Sequence, residues 1–164
     1  QTLCKIFILL ILLSSESFSN DKILGIAKVI DGDTILINNF KIRFSGIDAP
    51  ESYYKGKSQI CNSLTSGEKI FCGNISKKVL KDKIKNQFVI CIPENIDRYK
   101  RIIAECFLKQ ESISSFMVRN GYAFDYVKYS KGKYQSEQNF AKENKLGLWA
   151  MKFEYPWSWR KINK

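Results

Sequence analysis

The chain contains no histidine and no Cys-x-x-Cys pair among its 164 residues. Structural zinc sites are built from such cysteine pairs and from histidines, so this absence argues against a zinc protein. Prolines are few, and no internal repeat, low-complexity tract or proline-rich linker interrupts the sequence. We therefore expect one core and a single domain over residues 20–164.

The chain also lacks an apolar run long enough to cross a bilayer, which takes about 20 residues. A shorter run, Ile6–Leu13, follows Lys5 and precedes the small residues Ser17 and Ser19. This order is typical of a secretory signal, so residues 1–19 are interpreted as a signal peptide that is cleaved. An uncleaved anchor is the alternative. Cleavage predicts an exported protein, secreted or periplasmic, without stable membrane association.

Acidic residues are in the minority: 27 Lys and Arg face 16 Asp and Glu, which gives a net charge of +11. A field of that sign attracts polyanions, commonly nucleic acid or an anionic membrane surface. Charge alone is equally compatible with a basic domain that has no polyanionic partner. The hydrophobic content of 45% excludes an intrinsically disordered chain.

Four cysteines follow the predicted signal, and an oxidising compartment would pair them as disulfides. Three pairings are available to four cysteines. Cys91 and Cys106 lie in two β-rich runs at similar distances from the turn between them, which places them opposite one another. Cys61 and Cys72 enclose a short loop. We predict the disulfides Cys61–Cys72 and Cys91–Cys106.

The apolar pattern indicates an α+β fold. Strands are predicted over residues 23–30, 34–37, 40–44, 87–92 and 102–108. Helical periodicity predicts three helices, over about 75–84, 113–121 and 134–147. Short strands first, one inserted helix and helices at the end favour a five-stranded OB-fold-like β-barrel with three helices.

Two carboxylates are expected to meet at one end of this barrel. Asp33 begins one strand of a hairpin and Asp48 follows the end of the next, with the turn at Asn38-Asn39. Two such carboxylates repel each other unless a cation joins them. Calcium suits the site because it takes carboxylate and carbonyl oxygens in irregular geometry. Either segment alone has a structural explanation, since Asp-Gly is also a common turn.

Two arginines complete the pattern. Arg43 alternates with Ile42 and Phe44 in an apolar strand, so its side chain lies on the opposite face to theirs. Arg101 follows in the second predicted hairpin. Guanidinium groups match the oxygens of phosphate, so two arginines beside a carboxylate-bound cation would form a phosphate clamp.

Three motifs occur in order: Asp31-Gly-Asp-Thr, Arg43-x4-Asp-x-Pro-Glu51 and Asp97-Arg-Tyr-x-Arg101. Together they resemble the staphylococcal nuclease (thermonuclease) family. The similarity extends from about Lys22 to the Lys-Leu-Gly-Leu-Trp sequence that closes at Trp149. The resemblance implies a calcium-dependent endonuclease that hydrolyses phosphodiester bonds of DNA and RNA and leaves 3′-phosphate ends.

The resemblance also implies the roles of individual residues. Asp33 and Asp48 would bind Ca²⁺ through their carboxylates and Ala49 through its backbone carbonyl, where the family usually has Thr. Glu51 would orient or deprotonate the attacking water. Arg43 would hold the scissile phosphate.

Arg101 shares that phosphate-holding role in the family, and Tyr99 matches a tyrosine that lies against the bound nucleotide. We add Arg98 as a neighbouring substrate contact. Lys100 stands where the family commonly has Gly, and a requirement for positive φ there would misdirect Arg101.

Lys128 and Tyr129 belong to a stretch in which cations alternate with aromatic rings, as in an edge that binds single strands. The tyrosines are equally compatible with packing. A non-catalytic OB-fold module that binds nucleic acid is the main alternative function, and an exported basic protein that binds anionic surfaces is another. We expect a monomer.

Overall fold

The computed structural model describes residues 21–164, and every structural statement below refers to that part of the chain. The predicted signal peptide, 1–19, lies outside the described residues. Between residues 21 and 164, no helix has the length and apolar character needed to cross a membrane.

The described chain forms short strands and short helices. The strands are β1 (Ile23–Ile26), β2 (Lys28–Asp31), β3 (Thr34–Ile37), β4 (Phe40–Phe44), β5 (Ile47–Asp48), β6 (Cys61–Ser63), β7 (Lys69–Ile70), β8 (Phe88–Ile96), β9 (Ile102–Leu108), β10 (Glu111–Ser112), β11 (Phe124–Asp125) and β12 (Met151–Lys152). The helices are α1 (Cys72–Ile84), α2 (Ile113–Arg119), α3 (Val127–Ser130), α4 (Gln135–Glu143) and α5 (Pro156–Ile162), with a 3₁₀ helix at Gly147–Ala150.

The main sheet has the strand order β1-β8-β9-β4-β3-β2, and β10 adds to β9. β4 and β9 run parallel, and the other pairs are antiparallel. β1 and β2 lie at opposite ends of this order although only Ala27 separates them in the chain. The sheet must therefore curl until its ends approach. This confirms the OB-fold-like α+β prediction, and the five predicted strands are recovered when β1 and β2 are counted as one bent strand.

The β3–β4 hairpin turns at two asparagines with positive φ, 48° for Asn38 and 67° for Asn39. Such a two-residue turn matches the twist of the flanking strands and fixes their register. Thr34 consequently pairs with Arg43. This register brings the start of β3 beside the end of β4, where the predicted site lies.

The three predicted helices are present as α1, α2 and α4. The last is shorter than predicted, because Lys145 (φ 52°) and Gly147 (φ 53°) adopt left-handed backbone conformations that end an α-helix. The chain continues from there as the 3₁₀ helix. α3 and α5 were not predicted, since each spans about one or two turns and carries little periodicity.

Two apolar clusters hold the structure together. The larger is enclosed by the curled sheet, α1 and α2, and it contains Cys91 and Cys106, which are paired as predicted. The smaller surrounds the predicted Cys61–Cys72 disulfide and includes Phe124. β5 pairs with β11 and so connects the end of the hairpin to this second cluster.

Candidate active site

Asp33, Arg43 and Asp48 form one ion-paired group. Nη1 of Arg43 lies 2.7 Å from Oδ2 of Asp33, and Nη2 lies 2.7 Å from Oδ1 of Asp48. Both carboxylates are buried, with 4% and 0% of their surface exposed. The neighbours of Arg43 in β4 point into the core, so its own side chain points the other way, as alternation requires. The two predicted carboxylates therefore meet at one place.

The backbone around Asp33 fixes its orientation. Its Oδ1 accepts a hydrogen bond from the hydroxyl of Thr34 at 2.8 Å, and its Oδ2 accepts one from the amide of Ala49 at 3.1 Å. Arg43 also donates to the carbonyl of Ile47 at 3.3 Å. These bonds bring Ala49, the expected carbonyl ligand, directly beside Asp33.

Oxygen donors dominate this group. Within residues 21–164, no three or more His, Cys, Asp or Glu side chains are grouped so that they could hold a metal ion. The predicted set is smaller: two carboxylates, Asp33 and Asp48, with the carbonyl of Ala49. Hard oxygen donors of this kind suit Ca²⁺, which takes carboxylate and backbone carbonyl oxygens in irregular geometry. The chemistry of the donors fits calcium and does not fit zinc.

The pKa values of Asp33 and Asp48 are shifted in opposite directions by their surroundings. Burial by itself would raise the pKa of Asp33, but the charge of Arg43 and the bonds from Ala49 and Thr34 hold that pKa below its ordinary value. Burial raises the pKa of Asp48, and the guanidinium groups that contact it oppose the shift. Burial would lower the pKa of Arg43, but the charges of Asp33 and Asp48 outweigh burial and raise that pKa, so Arg43 stays charged.

Glu51 lies in the loop that follows Asp48 and Ala49. Burial, and next the negative charge of Asp33, raise the pKa of Glu51 to about 7. The backbone of Glu51 is bonded to Gln59 on both sides: its amide donates to Oε1 at 3.3 Å, and its carbonyl accepts from the amide of Gln59 at 2.9 Å. The site therefore contains a carboxyl that titrates near neutral pH, on a fixed segment of backbone.

Asp31 is a further acidic residue of the site, and the sequence reasoning used it only as part of a motif. Burial, together with the charge of Asp33, raises the pKa of Asp31 to about 6. Its carboxylate accepts hydrogen bonds from the amide of Ser52 at 3.2 and 3.3 Å. Asp31 thus ties the loop after Glu51 to the end of β2.

Arg101 is held by the turn that precedes it. The Oδ1 atom of Asp97 accepts hydrogen bonds from the amides of Tyr99 and Arg101, each at 2.9 Å. Its Oδ2 atom pairs with Nε and Nη2 of Arg101, each at 2.7 Å. Lys100 adopts φ 61°. The turn expected with Gly therefore forms with Lys. Among the described residues, the salt bridge of Arg101 is with Asp97, and its charge is the smallest of the influences that lower the pKa of Asp33.

Tyr99 and Arg98 are exposed beside Arg101. Tyr99 has 65% of its surface exposed, and its hydroxyl accepts a hydrogen bond from Nη2 of Arg98 at 2.8 Å. The guanidinium carbon of Arg98 lies 4.8 Å from the centre of the ring. A flat aromatic face with two cations next to it is suited to contact with a nucleotide.

Lys128 and Tyr129 lie in α3. The Nζ atom of Lys128 is 5.5 Å from the centre of the Tyr129 ring, and Tyr129 is 64% exposed. The centres of the Tyr129 and Tyr126 rings lie 4.9 Å apart with the ring planes at 78°, and Tyr126 stacks on Trp157 of α5. Tyr129 is therefore both a packing residue and an exposed face.

Sequence reasoning missed Arg160. Its Nη2 lies 2.6 Å from Oδ2 of Asp48, and its Nη1 lies 3.1 Å from Oδ1 of Asp48 and 2.5 Å from Oε1 of Glu51. The available signal was Trp157 and Trp159 beside it, since tryptophans in a short tail indicate docking onto the domain. Nothing local, however, indicates where such a tail docks.

Comparisons with known proteins identify a matching family and relatives of this chain. The protein family described as "Staphylococcal nuclease homologue" matches residues 41–151. The succinoglycan biosynthesis protein ExoI of Rhizobium meliloti is 30% identical over 147 residues, which cover 88% of this chain and 74% of ExoI. An uncharacterized endonuclease of Haemophilus influenzae is 32% identical over 146 residues, which cover 85% of this chain and 73% of that protein.

The chain also resembles a part of larger proteins. The staphylococcal-like nuclease CAN1 of Arabidopsis thaliana is 28% identical over 131 residues, covering 79% of this chain but 36% of CAN1. The described fold thus corresponds to about a third of that relative.

Proposed function

The chain belongs to the staphylococcal nuclease family, and from that premise we propose that it is a calcium-dependent endonuclease. It hydrolyses phosphodiester bonds of DNA and RNA and leaves 3′-phosphate ends. Relatives that are named nucleases or endonucleases support the proposal.

The main support is the group formed by Asp33, Arg43 and Asp48. One guanidinium lies against two buried carboxylates at 2.7 Å from each, in a chain whose net charge is +11. In this structure the charges of the two carboxylates are balanced by Arg43 and Arg160. The convergence of Asp33 and Asp48 nevertheless places oxygen donors side by side, as a divalent cation such as calcium requires.

Asp33, Asp48 and the carbonyl of Ala49 would hold the calcium ion. When bound, the ion supplies a Lewis acid for a non-bridging phosphate oxygen and neutralises charge. The hydrogen bonds from Thr34 and Ala49 keep Asp33 oriented for this task.

Glu51 serves as the acceptor of a proton from the attacking water. A general base is most effective when its pKa lies near the working pH, and the pKa of Glu51 is raised to about 7. The two backbone hydrogen bonds with Gln59 hold the loop from which Glu51 projects.

Arg43 and Arg101 bind the scissile phosphate and stabilise the charge that builds on it. Asp97 occupies the Nε and Nη2 edge of Arg101, which leaves the Nη1 edge for a phosphate oxygen. Removing one such prepositioned donor lowers the reaction rate by about 10²–10³-fold.

The exposed residues around the site contact the rest of the substrate. Tyr99 with Arg98, and Tyr129 with Lys128, pair an exposed ring with a cation. Stacking of bases on such rings tolerates any sequence, in keeping with action on both DNA and RNA.

The protein acts outside the cytoplasm as a monomer, after its signal peptide is removed. Two disulfides among the described residues are compatible with an oxidising compartment.

A nuclease assay tests the proposal. The purified protein is incubated with DNA and with RNA, in calcium or in excess chelator, and the ends of the products are identified by mass spectrometry. Cleavage that requires calcium and yields 3′-phosphates is the expected result. Binding without cleavage would support the non-catalytic module, and cleavage in chelator would overturn the role of calcium.

A further inference from the structure

α5 is anchored to the domain by aromatic packing. The ring of Trp157 stacks between Tyr126, at 4.7 Å and 7°, and Tyr155, at 4.6 Å and 10°. Trp159 meets Tyr54 edge-on at 6.2 Å. These contacts hold the helix at two points of its length. The packing of these two tryptophans therefore also fixes the positions of the neighbouring side chains of α5.

Hydrogen bonds tie the same segment to the loop that carries Glu51. Gln59 is fully buried, and its Nε2 donates to the carbonyl of Glu154 at 2.7 Å while its Oε1 accepts from the amide of Glu51. At the other end of α5, Nζ of Lys57 lies 3.2 Å from Oδ1 of Asn163. α5 and the Glu51 loop thus form one connected unit.

Arg160 projects from this helix onto the acidic side chains. One nitrogen, Nη1, contacts both Glu51 and Asp48, and Nη2 contacts Asp48. Asp48 is already paired with Arg43. Among the described residues, Arg160 is the side chain that forms a salt bridge with the Glu51 carboxylate. Glu51 depends on Arg160 for its orientation more than Asp48 does.

We propose that Arg160 is a positioning residue that holds the carboxylate of Glu51 in its working orientation. The proposal rests on the proposed nuclease function. A glutamate side chain has several freely rotating bonds, and a charge-assisted bond to a fixed arginine removes that freedom before substrate arrives. α5 lies beyond the family match at 41–151, so a segment outside the matched region completes the site.

The first test is a cycle of four proteins: wild type, Arg160→Ala, Glu51→Gln and the double variant. Single-turnover rates and the KM for a short oligonucleotide are measured in saturating calcium. Arg160→Ala should lower the rate by about 10²-fold, as misplacement of a catalytic group does, and leave KM within about threefold. In the Glu51→Gln background the same change should alter the rate by less than about threefold, because no base remains to be positioned.

Two further variants sharpen the result. Lys161→Ala changes the exposed neighbour in the same helix and should leave the rate at the wild-type level. Arg160→Lys keeps the charge but not the fork, and should recover only part of the lost rate. An equal loss in both Glu51 backgrounds would overturn the proposal, because Arg160 would then act independently of Glu51. A rise in activity would overturn it too, since Arg160 would then obstruct the site.

A measurement without catalysis checks the contact itself. Urea unfolding of the same four proteins in chelator should show that Arg160 and Glu51 are coupled by about fivefold or more in the unfolding equilibrium constant. If the Arg160→Ala and Glu51→Gln substitutions changed the unfolding equilibrium constant independently, the contact between the two side chains would be contradicted. If wild-type protein fails to cleave nucleic acid, the proposed function fails. If it cleaves and the kinetic cycle shows independence, only the role of Arg160 fails.

Discussion

The α-carbon of Gly73 lies against the backbone of Glu51: a β-carbon at position 73 would be 2.0 Å from the carbonyl oxygen of Glu51 and 2.5 Å from the amide of Ser52. The first turn of α1 therefore packs directly on the loop that carries the proposed base. Only glycine allows that approach, because the atoms in the way belong to backbone and cannot rotate aside.

Gly73→Ala should displace this loop or the start of α1. We expect a stability loss of about 1–3 kcal/mol, as in other overpacked sites, and a rate about 10²-fold lower, because Glu51 moves. Thermal unfolding and nuclease assays measure the two effects. Asn74→Ala, at the next and exposed position of α1, is the control and should change neither. Wild-type activity in a folded Gly73→Ala protein would contradict the packing.

Arg43→Lys should abolish most activity although it conserves charge. A lysine has a single ammonium group, whereas Arg43 contacts Asp33 and Asp48 through different nitrogens. We expect a loss of about 10²–10³ in kcat. Lys41→Ala, an exposed change in the same strand, is the control. Near wild-type kcat in the Arg43→Lys variant would show that one point charge suffices.

The part of the site that was predictable is local. Asp33, Arg43 and Asp48 lie on a hairpin and the residues after it, and the turn at Asn38-Asn39 fixes which of them face each other. Short sequence separation and a known turn determine this geometry. The same reasoning gave the correct partner for Cys91 across β8 and β9.

Arg160 was not predictable for the opposite reason. It is 109 residues from Glu51 in the chain. Its position depends on the stacking of Trp157 against Tyr126 and Tyr155. Contacts between residues so far apart in the chain depend on the packing of the whole domain. The hydrophobic periodicity of a short tail carries no information about that packing. The tryptophans indicated docking but not its place.

Lys100→Gly should stabilise the protein. Lys100 has φ 61°, a left-handed conformation that costs a residue with a β-carbon about 1–2 kcal/mol, while glycine loses about 0.5–1 kcal/mol through its greater freedom when unfolded. The expected net gain lies between about 0 and about 1.5 kcal/mol, measured by urea unfolding. Lys100→Ala removes the same charge without relieving the backbone, so it should give no gain. Nuclease activity should be retained with Gly, because the turn that positions Arg101 keeps its shape.

Asp33→Asn and Asp48→Asn should each weaken calcium binding. Each substitution removes one of the two negative charges proposed to hold the ion, and ligand charge strongly tunes calcium affinity. We expect a rise in Kd of at least about tenfold by titration calorimetry, which reads binding without catalysis. Asp82→Asn, in an exposed pair with Lys78 on α1, is the control. Unchanged calcium affinity in both site variants would place the ion elsewhere.

In chelator, the folded protein should lose stability as the pH rises from about 4.5 to about 7. The pKa of Glu51 is raised from 4.5 to about 7 by burial and by the charge of Asp33, so within this window the folded chain keeps a proton that the unfolded chain releases. Stability therefore falls as pH increases through the window. For Glu51 the difference corresponds to on the order of 3 kcal/mol. The raised pKa of Asp31, about 6, and the raised pKa of Asp48 act in the same direction.

Urea unfolding at about pH 5 and about pH 7.5 with excess chelator measures this slope. Glu51→Gln removes the titrating group, so the variant should lose less stability over the same interval than wild type. Glu68→Gln, a change at an exposed glutamate, should keep the wild-type slope. Asp33, Asp82 and Asp97 have lowered pKa values, so their opposite contributions are nearly complete by about pH 5. The lowered pKa of Glu137 contributes equally in wild type and Glu51→Gln, so it cancels in the comparison. Equal slopes for wild type and Glu51→Gln would mean that Glu51 is ionised throughout, and a base that titrates near neutral pH would then be excluded.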